Sequence, residues 1–306
     1  MTKVFTLSNS KHLEKGITSK IGKLTHRQFA DGEIKPRIDE SVRGHQAIVF
    51  GAMKNESDII EVLMLVDALN RASAKNIIGV FTYLPYMRQD RKDEPRTPIG
   101  AKVIANLLQN TKIEQIVTID LHASQIEGFF DIPVTHIMGN TLFSNYIKSN
   151  FDYSNTIIVS PDLGGGKRAK KLASDLNLPI AIINKERLEA NKVSSMELIG
   201  NVDGKDVFIV DDMVDTGGSL VKAVDMLLEK GAKTVNACIT HGVLSGNAIE
   251  RINNSNIGKL IITDSINNLD IKSDKIDIIT CIELFDDVIN TIIDNNSVDE
   301  MLVEKY

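Results

Sequence analysis

Short apolar runs alternate with amphipathic segments along the chain, and this alternation limits the possible folds more than any other feature. Apolar runs at residues 47–50, 76–81 and 116–119 are typical of buried strands. Apolar residues spaced three and four apart predict helices at 59–69 and 99–108. Strands that are apolar on both faces indicate parallel sheets covered by helices on each side, so the chain is predicted to have an α/β fold.

The same order of elements begins again after residue 140, which indicates a second domain. Strands are predicted at 156–159, 179–183, 206–210, 234–239, 259–263 and 276–281, and helices at 142–147, 167–176, 220–228 and 283–293. A chain of 306 residues also has room for two hydrophobic cores at ~150 residues per domain. We therefore expect an N-terminal domain at residues 1–141 and a C-terminal domain at 142–306.

Charge and composition exclude several classes of function. The net charge of −6 predicts no basic surface for nucleic acid, and a content of 42% hydrophobic and 25% charged residues is ordinary for a globular protein. No segment approaches the ~20 apolar residues that span a bilayer, and residues 1–8 lack the pattern of a secretion signal. Cys238 and Cys281 lie in apolar strand-like runs, which suits buried thiols in a reducing compartment. We expect a cytoplasmic protein with no nucleic-acid or membrane partner.

The segment 210–219, VDDMVDTGGS, is the most specific local pattern. A predicted strand ends in Asp211 and Asp212, and the glycine-rich turn 215–219 opens the next helix. Backbone amides at a helix N-terminus, exposed by glycines and joined by hydroxyl groups, bind anions such as phosphate. The two carboxylates can accept hydrogen bonds from vicinal sugar hydroxyls, so the segment predicts a sugar-phosphate site. An acidic strand end with an ordinary helix cap is the alternative.

Two further turns follow predicted strands and carry groups that suit a metal or a phosphate. Asp162 precedes three glycines in the turn 160–168, which is not a Walker A loop because its proline and final arginine stand where that pattern needs Gly and Ser or Thr. Asp120 and His122 are predicted to share one face at the end of the strand 116–119. A simple tight turn and a structural histidine are the alternatives.

Three polar segments carry weaker patterns. Residues 85–93 follow a strand and are by themselves typical of a solvated loop. The segment 29–33, FADGE, suits the binding of a purine as well as it suits a surface turn. Residues 185–195 are charged and poor in periodic apolar residues, which predicts a mobile loop between two strands. Such a loop can bring Lys185 and Arg187 to a developing negative charge.

These segments, in this order, resemble those of a known family. Together with residues 41–44 (SVRG), 120–130 and 245–248, they resemble the ribose-phosphate pyrophosphokinases, or phosphoribosyl pyrophosphate synthetases, of the Mg²⁺- and phosphate-dependent class. The resemblance extends over about residues 5–297. It implies a pair of phosphoribosyltransferase-like domains, each a mainly parallel sheet flanked by helices, in a homohexamer built from dimers. It also implies the reaction ATP + ribose 5-phosphate → 5-phosphoribosyl 1-diphosphate + AMP, for nucleotide biosynthesis.

The resemblance assigns roles to individual residues. It implies ATP binding by Phe29, Asp31, Gly32, Glu33, Arg88, Gln89, Asp90 and His122. It implies ribose 5-phosphate binding by Arg187, Asp211, Asp212, Asp215, Thr216, Gly217, Gly218 and Ser219. Lys185 and Arg187 are the implied catalytic residues, and His122 and Asp162 serve the implied sites of two Mg²⁺ ions. Ser41 and Arg43 are implied to border an allosteric site, where inorganic phosphate acts as an activator.

Three other classes share part of this pattern. A phosphoribosyltransferase has the loop of the second half but does not need the motifs at 29–33 and 88–90. A catalytically silent regulatory subunit typically carries inserts or altered site loops, whereas Lys185 and His122 are in place here. A repressor that senses a sugar phosphate needs a DNA-binding module, for which the start of this chain is too short and insufficiently basic.

Overall fold

A computed structural model of the protein describes residues 2–186 and 195–305. The chain divides into two compact units, one formed by Met1–Ile137, Ser265–Asn267 and Cys281–Tyr306 and the other by Met138–Asp264 and Asn268–Thr280. Residues 281–306, which we assigned to the second domain, thus group with the first unit. The periodicity of a sequence indicates where a helix forms, but it does not indicate which of two hydrophobic cores that helix packs against. The grouping of residues 281–306 with the first unit therefore could not be predicted.

The first unit is built on a five-stranded parallel sheet. In order across the sheet, its strands are β1 (Thr2–Thr6), β4 (Gln46–Ala52), β5 (Asn76–Tyr83), β6 (Ile113–Ile119) and β7 (Val134–Ile137). A separate antiparallel hairpin pairs β2 (Leu24–Gln28) with β3 (Ile34–Ile38). The helices are α1 (Glu56–Arg71), α2 (Gly100–Gln109), α7 (Ile282–Ile293) and α8 (Val298–Lys305), with 3-10 segments at Ser8–Gly16 and Ser124–Phe129.

The second unit is built on a seven-stranded sheet. In order across it lie β10 (Ser195–Ile199), β9 (Ile180–Glu186), β8 (Thr156–Ser160), β11 (Asp206–Val214), β12 (Thr234–Gly242), β13 (Leu260–Thr263) and β14 (Ile276–Ile279). Only the edge pair of β10 and β9 is antiparallel. The helices of this unit are α3 (Asn140–Asn150), α4 (Gly166–Leu176), α5 (Gly218–Glu229) and α6 (Ala248–Asn253).

Strand β11 shows why the apolar runs are nearly continuous. Val207 and Ile209 pack into one hydrophobic cluster, while Phe208 and Val210 pack into another. Alternate side chains of a strand point to opposite faces, so both faces of this sheet are covered. The structure thus confirms the predicted α/β class and its parallel, doubly covered sheets.

The predicted strands and helices are present, with ends that differ by a few residues. The largest difference is β11, which continues through the acid pair to Val214 because it pairs with an equally long β12. The sequence pattern did not predict β1, the β2–β3 hairpin, β7, β10, α6 or α8. Most of these are edge or short elements, whose weak periodicity gives little local signal.

The composition predicted two buried thiols and no membrane-spanning segment. Cys238 and Cys281 are both buried free thiols, as predicted. No helix within residues 2–186 and 195–305 is long and apolar enough to cross a membrane.

Candidate active site

In the first unit, loops from three neighbouring strands meet at the carboxyl edge of the sheet. The Tyr86 hydroxyl, beyond β5, donates a 2.6 Å hydrogen bond to Glu56 at the start of α1, which follows β4. The Gln125 side chain, beyond β6, lies 3.5 Å from the Asp90 carboxylate. The hydrogen bond lowers the pKa of Glu56 and raises that of Tyr86. Because ligands of open α/β sheets bind at this edge, these loops form a candidate substrate surface.

The segment 85–93 is a shaped turn at this edge, although its composition alone is typical of a solvated loop. Tyr86 has a left-handed backbone (φ 63°), and Met87 turns inward to become buried in the core. Arg88 and Gln89 are exposed. The Gln89 side chain packs against the first residue of α2, Gly100, where an added Cβ would lie 2.6 Å from Gln89 Oε1. The turn therefore presents Arg88 to solvent on a fixed backbone.

The turn after β6 contains His122. The strand ends at Ile119, and Asp120 is buried with a left-handed backbone (φ 40°). The alternation of strand faces therefore stops before Asp120, and His122 is exposed rather than on one face with Asp120, as the sequence had predicted. A non-glycine residue in this conformation persists only where its surroundings hold it, which is common at functional sites.

The segment 29–33 forms the tip of the β2–β3 hairpin. The amide of Phe29 donates to the Glu33 carbonyl at 2.8 Å, and the Glu33 amide donates to Asp31 Oδ1 at 3.0 Å. Gly32 has a φ of 93°, which favours glycine. The Phe29 side chain is 52% exposed, an unusual fraction for a phenylalanine. This turn thus presents an aromatic ring and two carboxylates to a ligand or to another molecule.

In the second unit, the glycine-rich turn 215–217 leads directly into α5. Gly217 is the N-cap residue and has a φ of 73°, so a left-handed residue opens the helix. Thr216 and Ser219 are exposed beside it. The first amides of a helix have no partner within the helix, and a glycine cap supplies no side-chain acceptor. The start of α5 is therefore a candidate anion site, with Gly217 as its cap and the Thr216 and Ser219 hydroxyls beside it.

Helix α6 and the turn that precedes it contact this glycine-rich loop. The Arg251 guanidinium, on α6, donates to the Thr216 carbonyl. The Ser245 amide donates to the Asp215 carbonyl at 3.2 Å, next to Leu244 with a left-handed backbone (φ 50°). Analysis of the sequence did not identify Arg251, since nothing in its local pattern points to a site. Its guanidinium adds positive charge next to the candidate phosphate loop.

The two adjacent carboxylates of β11 both lie close to the buried guanidinium of Arg168. Arg168 Nη1 lies 3.5 Å from Oδ1 of both Asp211 and Asp212. Loss of hydration raises the pKa of Asp211 well above its usual value, and the negative charges of Asp212 and Asp162 raise it further, while Arg168 opposes the shift. The sequence placed Arg168 at the end of the glycine-rich turn 160–168, and in the structure its side chain is buried beside the acid pair.

Asp162 is held at the start of α4. Its Oδ1 accepts a 2.8 Å hydrogen bond from the Gly165 amide, and its carbonyl accepts one from the Ser160 hydroxyl at 2.7 Å. A Cβ at Gly165 would lie 2.9 Å from Ser160 Oγ, so this position requires glycine for close packing. The glycine turn therefore holds the Asp162 carboxylate within electrostatic reach of Asp211, whose pKa its negative charge helps to raise.

The catalytic and allosteric candidates lie elsewhere in the chain. Lys185 is a backbone position of β9 that pairs with Met196 of β10, and Arg187 lies outside the described residues. Because β9 extends to Glu186 and β10 begins at Ser195, both ends of the segment 185–195 that was predicted to be a loop are strand residues, and residues 187–194 lie outside the described part of the chain. Ser41 and Arg43 precede β4 and so lie at the opposite edge of the first sheet from the loops that contain Arg88 and His122.

The described residues fit Mg²⁺ only in part. No three His, Cys, Asp or Glu side chains within residues 2–186 and 195–305 are grouped so that they could hold a metal ion. Mg²⁺, however, usually takes one or two protein carboxylates and completes its coordination with water and substrate phosphates. The oxygen donors of Asp162 and the excess negative charge around Asp211 suit such an ion. The imidazole of His122 suits it less well, because Mg²⁺ prefers oxygen.

Both units are similar to known proteins. Residues 2–111 match the N-terminal domain of ribose phosphate pyrophosphokinase, and residues 127–282 match the phosphoribosyl transferase domain. The crystal structure of phosphoribosylpyrophosphate synthetase from Mycobacterium smegmatis is similar, with a TM-score of 0.90 and 35% identity over 96% of this chain and 99% of that one. The chain is thus a protein of two phosphoribosyltransferase-type domains.

Full-length relatives define the family more closely. Ribose-phosphate pyrophosphokinase of Campylobacter jejuni is 45% identical over 90% of both chains, and that of Porphyromonas gingivalis is 41% identical over 96% of both. This chain belongs to the ribose-phosphate pyrophosphokinase family, as the order of its motifs indicated.

Proposed function

We propose that this chain transfers the β,γ-diphosphoryl group of ATP to the 1-hydroxyl of ribose 5-phosphate. The single observation that carries the proposal is its similarity to ribose-phosphate pyrophosphokinases along nearly the whole chain, 96% of it in the P. gingivalis comparison. A phosphoribosyltransferase would account for the second unit only. In the reaction the 1-hydroxyl oxygen bonds to the β-phosphorus and loses its proton, and the α–β bridging oxygen leaves with its electron pair as part of AMP.

We assign the two substrates to different units. In the second unit, the turn 215–219 at the start of α5 would bind the 5-phosphate, and Asp211 and Asp212 would accept hydrogen bonds from the ribose hydroxyls. In the first unit, Phe29 and Arg88 would stack on adenine, with Asp31, Gly32, Glu33 and Gln89 along its edge and Asp90 nearby. The exposure of Phe29 and Arg88 supports this assignment, because stacking needs open faces.

The remaining roles concern the transferred group. Lys185 and Arg187 would stabilise the charge that develops in the transition state, and Arg187 would also contact ribose 5-phosphate. Asp162 and His122 would serve Mg²⁺ sites, His122 together with the ATP phosphates. When bound with ATP, Mg²⁺ neutralises phosphate charge and aligns the diphosphoryl group for attack. Two such ions are part of the proposal.

The proposal also includes the oligomeric state, the activation by phosphate and the cellular location. We assign a homohexamer built from dimers, in which Phe29 of one subunit reaches a neighbouring ATP site; its exposed place on a hairpin tip supports this. Inorganic phosphate would activate at a site bordered by Ser41 and Arg43, which lie away from the candidate substrate loops of their sheet. The two buried free thiols support a cytoplasmic location.

A phosphorus NMR time course tests the reaction. The protein is incubated with ATP, Mg²⁺, ribose 5-phosphate and inorganic phosphate, and the products are identified by their signals. We expect AMP and a sugar 1-diphosphate to appear in equal amounts. ADP with a singly phosphorylated new ester would indicate an ordinary kinase, and no turnover despite binding of both substrates would indicate a silent regulatory subunit.

A further inference from the structure

The turn that contains His122 is held by a side chain from the neighbouring strand. Ile119 pairs with Ile137 at the end of β6 and β7, and the Asp120 amide donates to the Ile137 carbonyl at 2.9 Å. The next amide, that of Leu121, donates instead to Nε2 of His136 at 2.9 Å. An imidazole nitrogen therefore takes over from the backbone carbonyls as the acceptor at the point where the chain turns.

This acceptor role fixes the proton on the ring of His136. Because Nε2 accepts a hydrogen bond from an amide, it carries no proton, and the neutral ring must hold its proton on Nδ1. Nδ1 lies 2.7 Å from Glu127 Oε1, so it donates to that carboxylate. His136 is only 8% exposed, whereas Glu127 is 40% exposed, so the ring itself is shielded from competing water.

Both partners of His136 belong to one continuous segment. Leu121 lies immediately before His122, and Glu127 lies on the 3-10 segment Ser124–Phe129 that follows it. His136 thus clamps the two ends of the turn 121–127 to β7. The two hydrogen bonds of His136 offset the conformational cost of the left-handed backbone at Asp120. Without them, the chain would relax to a less strained conformation at that residue.

We infer that His136 and Glu127 are positioning residues that hold His122 in place for Mg²⁺–ATP. The inference rests on the proposed function only in assigning that ligand to His122. Neither His136 nor Glu127 needs to touch substrate: His136 acts through the Leu121 amide, and Glu127 acts by orienting the ring. The arrangement matches the general pattern in which a carboxylate fixes the tautomer and orientation of a histidine near a functional site.

The tautomer is tested directly in the unmodified protein. Two-bond ¹H–¹⁵N correlation spectra of protein labelled at its 6 histidines distinguish a proton on Nδ1 from one on Nε2, and the His136 signals are those absent from His136→Gln. We expect the Nδ1–H form. A proton on Nε2 would overturn the inference, whether or not the protein is active.

Paired substitutions test the consequence for the ligand. His136→Leu removes the acceptor for the Leu121 amide, whereas the His136→Gln side-chain oxygen can replace Nε2. ATP binding is measured by calorimetric titration at a series of Mg²⁺ concentrations. His136→Leu should bind ATP about 10–100-fold more weakly, the loss that is typical when residues behind the ligands of a metal site are replaced. His136→Gln should restore most of the lost affinity. Glu127→Leu should weaken binding less than His136→Leu, and Glu127→Gln less still. Thr135→Val, on the same strand, is the matched control and should bind like wild type.

The outcomes separate this inference from the proposed function. If wild type makes AMP and a sugar 1-diphosphate but His136→Leu binds ATP as Thr135→Val does, the inference is wrong and the function stands. If wild type catalyses no transfer, the function is wrong, while the spectra and ATP titrations still report on His136. If His136→Leu does not fold, as judged by circular dichroism, the comparison of Glu127→Leu with Glu127→Gln decides, and equal binding by these two overturns the inference.

Discussion

At the scale of single residues, the acid pair of β11 combines its proposed role in sugar binding with a cost in stability. Asp211 and Asp212 share one guanidinium, that of Arg168, at 3.5 Å from each. Because the folded-state pKa of Asp211 is raised, folding favours its protonated form. The stability that this protonation contributes is fully present below the unfolded pKa of 3.8 and is lost as the pH rises through the folded value.

Asp211→Asn should therefore stabilise the fold at neutral pH. The amide carries no charge, so Arg168 is left to pair with Asp212 alone. At pH 8 we expect a Tm about 2–4 °C above wild type, the shift that ~1 kcal/mol produces in a domain of this size. The gain should shrink as the pH falls through the raised folded-state pKa of Asp211, because wild type itself then becomes protonated. Thermal unfolding followed by circular dichroism across this range gives the measurement.

The exposed carboxylate of Asp270 supplies the control. Asp270→Asn should change the Tm little at either end of the range. A gain for Asp211→Asn that stays constant with pH, or that grows as the pH falls, would contradict the sign of the shift. Asp211→Asn should also weaken ribose 5-phosphate binding, which would explain why a destabilising carboxylate stands at this position.

Backbone conformation is the part of the site that residue identities do not indicate. Tyr86, Asp120 and Leu244 each adopt a positive φ beside a predicted motif. None has the glycine that would have pointed to a left-handed turn, and each is held by tertiary contacts that no local pattern contains. The buried place of Arg168 is hidden for the same reason, because a basic helix usually faces solvent.

At the scale of elements, the long buried strands and amphipathic helices could be predicted because both periods are strong in the sequence. The hairpin β2–β3 could not, since its strands are partly exposed and contain Pro36. The tip of this hairpin was singled out in the sequence because an aromatic residue stands next to two acidic residues there. The glycine-rich turn into α5 was predicted most completely as a backbone feature, because its glycines and the start of the helix are local in the sequence, while its binding of phosphate stays a prediction.

The turn into α5 gives a prediction at this scale. Gly217 has a φ of 73°, and the atoms nearest to an added Cβ would be those of Ile252 and the Ala248 carbonyl at 3.6–3.8 Å, which are ordinary contacts, so backbone strain is the main cost of a side chain. We expect Gly217→Ala to lower the free energy of unfolding in urea by about 1–2 kcal/mol. We also expect weaker ribose 5-phosphate binding, because the strained turn would shift the first amides of α5.

The neighbouring glycine provides a matched comparison for stability. Gly218 has no positive φ, and its Cβ would meet Arg251 Nη1 at 3.6 Å, an ordinary contact. Gly218→Ala should therefore unfold at nearly the same urea concentration as wild type. Equal destabilisation by the two substitutions would show that side-chain volume, rather than the left-handed backbone, governs this turn.

Across the full length of the chain, two units of one general fold carry different chemical groups. The first presents the Arg88 turn at the carboxyl edge of its main sheet and the exposed Phe29 ring at the tip of its separate hairpin, and both suit a base. The second presents a helix N-terminus beside an acid pair, which suits a sugar phosphate. The sequence indicated this division through the order of its motifs. It could not indicate that residues 281–306 group with the first unit.

Calorimetry of two variants tests whether each unit binds its own substrate. Mg²⁺–ATP and ribose 5-phosphate are titrated separately into wild type, Phe29→Ala and Asp215→Ala. Loss of a stacking ring should weaken ATP binding about tenfold in Phe29→Ala and leave ribose 5-phosphate binding unchanged. Asp215→Ala should do the reverse. Weaker binding of both substrates by both folded variants, or an exchange of the two effects, would contradict the division of substrates between the units.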